Sequence, residues 1–151
     1  MFARARQIGF AFLLASLATA IAGSIFSTQF VVAALEAVGV QIPVGTRLLM
    51  TLTDLRILMT MLPAVIACFV PAFLIAGFLS RRLGGPRMAW FAVAGGSALV
   101  VELLIIEAQL GLMPIAGART SAGIALQGVA GVFGGLVYAW LSKPAIAEAK
   151  S

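Results

Sequence analysis

Four long apolar runs, set apart by short stretches that hold most of the charge, constrain this chain more than any other feature in it. A helix needs about 20 apolar residues to cross about 30 Å of hydrocarbon. Runs of that length occur at about 8–28, 57–79, 88–110 and 120–142. They are continuous, without the in-out alternation of a membrane barrel strand. Only 10% of the 151 residues are charged, 62% are hydrophobic, and the mean hydropathy is +1.14. A water-soluble domain cannot cover its surface with so little charge. The expected fold is therefore an all-α membrane protein: a four-transmembrane-helix bundle, up-down-up-down, with an extended outer hairpin at 29–56 between the first two spans. Residues 1–142 are expected to form a single four-helix membrane domain, and 143–151 a short cytoplasmic tail.

The chain has no histidine and one cysteine, Cys68. That excludes an intramolecular disulfide, histidine-ligated haem, histidine zinc sites and a histidine base. No catalytic residue, cofactor or metal site is expected. Cys68 lies inside an apolar run and reads as a small packed hydrophobe. The net charge of +5 comes mostly from arginines at span ends, so it is no nucleic-acid surface. With both termini inside, Arg4, Arg6, Arg81, Arg82, Arg87, Lys143 and Lys150 lie on one side, and Arg47, Arg56 and Arg119 on the other. This bias places the termini in the cytoplasm, with lipid as the protein's first partner. The N-terminal arginines, the apolar core and the Ala-Ile-Ala ending at Ala22 also match a secretory signal. The apolar run continues to Val40, too long for a signal core, so it is read as the first span.

Ala11, Ala15, Thr19, Gly23 and Ser27 recur every four residues, with Ser16, Ala20 and Ser24 beside them. Such a stripe lets another helix approach closely. Gly39, Pro43 and Gly45 then mark a turn, after which Thr46 is expected to cap a helix. Folding the chain about this turn sets Glu36 level with Arg47 and Gln29 level with Asp54 in one register. Pro63 and Pro71 interrupt the second run, where they either bend a helix or mark a gate. Arg81 to Arg87 form a basic turn. Trp90, Tyr138 and Trp140 read as interface anchors. Gly128, Gly131, Gly135 and Ala139 give the last run a glycine face that either seals the protein's own bundle or docks a second copy.

The stretch around Glu102 is the most costly to place in lipid, because an ionisable group there needs a partner or a task. Gly95, Ala98, Glu102 and Gln109 share one small, polar helix face. Glu107 is rotated by about 140° from Glu102, so the two carboxylates form no acid/base dyad. Antiparallel pairing about the turn sets Glu107 level with Arg119, and Glu102 level with Gln127. The first pair reads as a bidentate staple. Glu102 reads either as a neutral acid sharing hydrogen bonds with Gln127 or as a titrating group.

The segments S-T-Q-F-V, G-V-Q-I-P, R-L-L-M-T-L-T-D-L and P-I-A-G-A-R-T-S-A-G, with Q-G-V-A-G-V-F-G-G-L-V-Y, resemble a group of small proteobacterial inner-membrane proteins. The resemblance brings no activity, cofactor or functional residue with it. Small multidrug exporters carry their glutamate in the first span, which here has none, and the motifs of fluoride channels are absent. The reading preferred from the sequence is a non-catalytic accessory or scaffold subunit, associating with itself or with a larger membrane complex. Its support is the apolar hairpin, which in water would be an exposed patch. The alternative is a small proton-coupled transporter or channel using Glu102.

Overall fold

In the computed structural model, residues 2–54, 58–111 and 115–143 are described. Arg56, Pro114, Lys150 and the rest of the expected tail lie outside them. The described chain is helical, with α1 at Phe2–Ala37, α2 at Val44–Asp54 and α3 at Leu58–Arg82. It continues with α4 at Arg87–Leu110, a 3-10 turn at Ala116–Ala118, and α5 at Ser121–Leu141. No strand occurs among the described residues. Four helices are long and apolar enough to cross a membrane: α1, α3 from Leu62 onward, α4 and α5.

Each helix stops where its backbone is given another use. The α1 helix runs 36 residues, about 54 Å at about 1.5 Å per residue. It ends where Gly39 takes a left-handed φ of 89°. The Gly39 N–H then donates to Glu36 O and the Val40 N–H to Leu35 O, the paired bonds that close a helix C-terminus. On the far side of the turn the Arg47 N–H donates to Pro43 O at 3.0 Å, so α2 begins at Val44. Thr46 is therefore inside the helix and is not its cap: proline, with no N–H to satisfy, starts the helix earlier. The α4 helix ends at Gly111, φ 66°, whose N–H donates to Glu107 O. The α5 helix is capped by Thr120, whose side chain accepts from the Gly123 N–H. The α3 helix passes through Pro63 and Pro71, and reaches Arg82 rather than ending near 79. Arg81 and Arg82 thus complement the negative end of its dipole.

Glycine brings α4 and α5 together. A Cβ on Gly95 would meet the Gly131 carbonyl, and one on Gly135 the Phe91 carbonyl. The glycine face is thus consumed by the protein's own packing. As residue numbers rise along α4 the partners fall along α5, so the two are antiparallel. The α1 stripe packs on the next face of α5, with Thr19 against Gly134 and Gly23 against Gln127. Toward the end where α1 begins and α5 finishes, Phe12, Phe73, Phe91 and Tyr138, one from each long helix, form a continuous aromatic cluster. Phe73 stacks on Tyr138 at 4.6 Å and meets Phe91 edge-on at 5.5 Å. Tyr138 is thus partly buried against the core, while Trp140 is 62% exposed. Arg87 closes this end by donating to Ala139 O at 2.6 Å and Ser142 Oγ at 2.7 Å. Gln7 Nε2 reaches Leu141 O at 3.1 Å, so two helices cap the otherwise open carbonyls of α5.

Candidate functional site

Beyond the aromatic cluster the core changes character. Glu102 stands 11 residues after Phe91, about 16 Å further along α4. Its half-buried carboxyl has one oxygen, Oε2, that is buried without a hydrogen-bond partner. Ser24 Oγ on α1 is buried and unpartnered as well. Both residues line a cavity of about 470 Å³ that also takes Thr19, Ser27, Asp54 and Gln127. Its remaining walls are apolar, among them Val31, Val65, Leu99 and Leu103. The α2 helix contributes Met50 and Asp54, so the hairpin closes the cavity on the side away from the aromatic cluster.

Asp54 is held at the rim by Thr28 Oγ1, which donates to its Oδ2 at 2.6 Å. The expected partner was Gln29, one residue further along α1. A helix turns about 100° per residue, so Gln29 leaves the face that Thr28 presents to α2. Glu36 and Arg47 are brought together, with Nη2 donating to Oε2 at 3.4 Å. Gln127 and Glu102 are not joined: Gln127 Nε2 donates instead to Gly23 O at 2.9 Å. The missing Cβ of Gly23 lets the amide lie on the α1 backbone, which leaves the Glu102 Oε2 unanswered. Gln109, on the same expected face as Glu102, is exposed. Glu107 and Arg119 are both exposed at the α4–α5 turn, where Arg119 ends the 3-10 turn and makes contacts of its own. Neither lines the cavity.

No family model, curated protein or solved structure matches this chain.

On the α3 side of Glu102 lies a second space of about 690 Å³, an open apolar groove between α3 and α4. It runs from Leu79 and Trp90 to Ile105 and includes Cys68, Pro71 and Ser97. Pro71 has no N–H for the Ala67 carbonyl, so the groove wall contains a weakened helical turn. Glu102 and Ile106 border both spaces. Cys68, whose thiol donates to Val65 O at 3.3 Å, lies beside the Glu102 carboxyl. Among the described residues no three His, Cys, Asp or Glu side chains gather as a metal site.

Glu102, Gln127 and Asp54 were legible as polar residues to be explained, and the cavity takes all three. Ser24 was missed as part of its lining, Thr28 as the partner of Asp54, and Cys68 as the neighbour of Glu102 on the groove side. Ser24 read as part of a packing stripe and Cys68 as a hydrophobe; only their rotation about the helix axes shows what they face.

Proposed function

We propose that this chain is a small carrier or channel of the bacterial inner membrane, passing a small solute across Glu102 in exchange with protons. In this reading the long helices form an up-down-up-down bundle with cytoplasmic termini and the α1–α2 hairpin outside. The seven-to-three distribution of lysine and arginine supports that orientation. The observation that carries the function is Glu102, a residue with a buried, unpartnered Oε2 that lines both a polar cavity and an apolar groove. Cys68 meets the Glu102 carboxyl, yet Oε2 stays unanswered, and an unanswered buried polar atom costs about 1–3 kcal/mol, a cost that a carboxyl needed only for packing would be expected to avoid. Ionisable groups inside a membrane bundle commonly mark the path of an ion or substrate. The protein is read as non-catalytic, and its carriage is tested by reconstitution into liposomes under an imposed proton gradient. Wild type should conduct protons, alone or with a co-substrate; Glu102→Gln should fold and conduct none. Equal flux in both would remove Glu102 from the path.

The accessory-subunit reading has its own observation. Leu48, Leu49 and Leu52 of α2 are 60%, 66% and 63% exposed and share one face. If that face docks on a second copy or a larger complex, Leu49→Lys should release the chain as a smaller species in size-exclusion chromatography.

A further inference from the structure

We propose that the cavity at Glu102 takes an amphipathic organic cation, an amine or quaternary ammonium with an apolar body; the assignment rests on the carrier reading above. The polar wall carries two carboxyl groups and several hydroxyls, with no fixed positive charge among the described lining residues. Glu102 and Asp54 supply carboxyl groups, one N–H of the Gln127 amide is committed to Gly23 O, and Ser24 and Ser27 add hydroxyls that can donate or accept. Thr19 Oγ1 donates to Ala15 O, so its remaining capacity is to accept. Among the described lining residues none is a lysine or arginine. An anion would meet two carboxyl groups with no countercharge, whereas a cation would meet both as partners.

Size and the apolar wall decide against a bare metal ion. A water occupies about 30 Å³ of liquid, so 470 Å³ holds about fifteen water volumes. Val31, Val65, Leu99 and Leu103 offer nothing to a hydrated ion but bury a hydrocarbon body well. The apolar groove meets the cavity at Glu102. An amphipathic ligand can therefore lie with its body along the groove and its charge at the carboxyl, which suits arrival from lipid.

The full chain in lipid nanodiscs is dialysed against radiolabelled benzyltrimethylammonium, with benzyl alcohol, benzoate and Na+ as comparisons and empty nanodiscs as the blank. The expected result is saturable binding of the ammonium, tighter by about tenfold or more than benzyl alcohol, with benzoate excluded and Na+ a poor competitor. Glu102→Gln and Asp54→Asn should each weaken it by about tenfold. If Glu102→Gln does not fold, Asp54→Asn and the charge preference of wild type carry the test. Equal binding of ammonium and alcohol, or ammonium binding unchanged in both variants, overturns the cation assignment. So does displacement by Na+ at equal concentration, which would make the ligand inorganic. In these cases Glu102-dependent proton flux in liposomes would leave the carrier reading standing, whereas proton-tight vesicles would remove it as well.

Discussion

At Thr28 one proton has two claimants. Its Oγ1 lies 3.1 Å from Ser24 O and 2.6 Å from Asp54 Oδ2, and a hydroxyl donates only once. The shorter bond, to a carboxylate, takes the proton and ties α2 to α1. Thr28→Val keeps the shape and removes the donor. It should cost about 1.5–3 kcal/mol, by the worth of a hydrogen bond to a charged group, and raise hydrogen exchange along α2. The Glu36–Arg47 pair is a different matter, with side chains 44% and 36% exposed. Exposed ion pairs contribute about 0–1 kcal/mol, so Arg47→Ala should leave thermal unfolding within about 4 °C of wild type. A larger loss for Arg47→Ala than for Thr28→Val would mean that the hairpin is held by its exposed end.

Between elements, the contacts are as close as their smallest residues permit. Gly131 faces the Gly95 carbonyl, so Gly131→Ala must push α4 and α5 apart and should cost about 1–3 kcal/mol. Gly9 and Gly45 lie in helices with open space where a Cβ would stand, so alanine there should stabilise by about 0.5–1 kcal/mol. Thermal unfolding in detergent separates the two classes, and equal effects would contradict the assigned packing. This is also where the sequence stopped being readable. The periodicity of Ala11 to Ser27 and the glycines of α5 named the faces that pack, and the turn at Gly39 placed Glu36 by Arg47. Register along two helices gives height but not azimuth. Gln127 was set level with Glu102, yet it points to Gly23 on α1; the stacking of Tyr138 on Phe73 was not foreseen. Those rotations are decided by contacts among three helices at once, which pairwise spacing does not contain.

Over the whole molecule, the proposal is a path with a closed end and a covered one. The aromatic cluster and the Arg87 cap close the side where α1 begins and α5 finishes, while α2 covers the other, leaving Glu102 between a polar cavity and an open groove. Orientation is tested with single cysteines in a Cys68→Ala background. Leu83, 68% exposed, is preferred to Gly84, whose φ of 71° disfavours a side chain. In intact cells Gln41→Cys should react with a membrane-impermeant maleimide and Leu83→Cys should not; the reverse pattern inverts the topology. The central claim, that Glu102 is a functional carboxyl reached from within the membrane, is met most directly by a lipophilic carbodiimide. Such a reagent modifies a protonated carboxyl that it reaches through lipid. In intact membranes, mass spectrometry should find the adduct on Glu102 and not on Glu36 or Glu107, with proton flux lost in proportion to labelling. Full flux with Glu102 modified, or a Glu102 that stays unmodified while the exposed acids react, would contradict it.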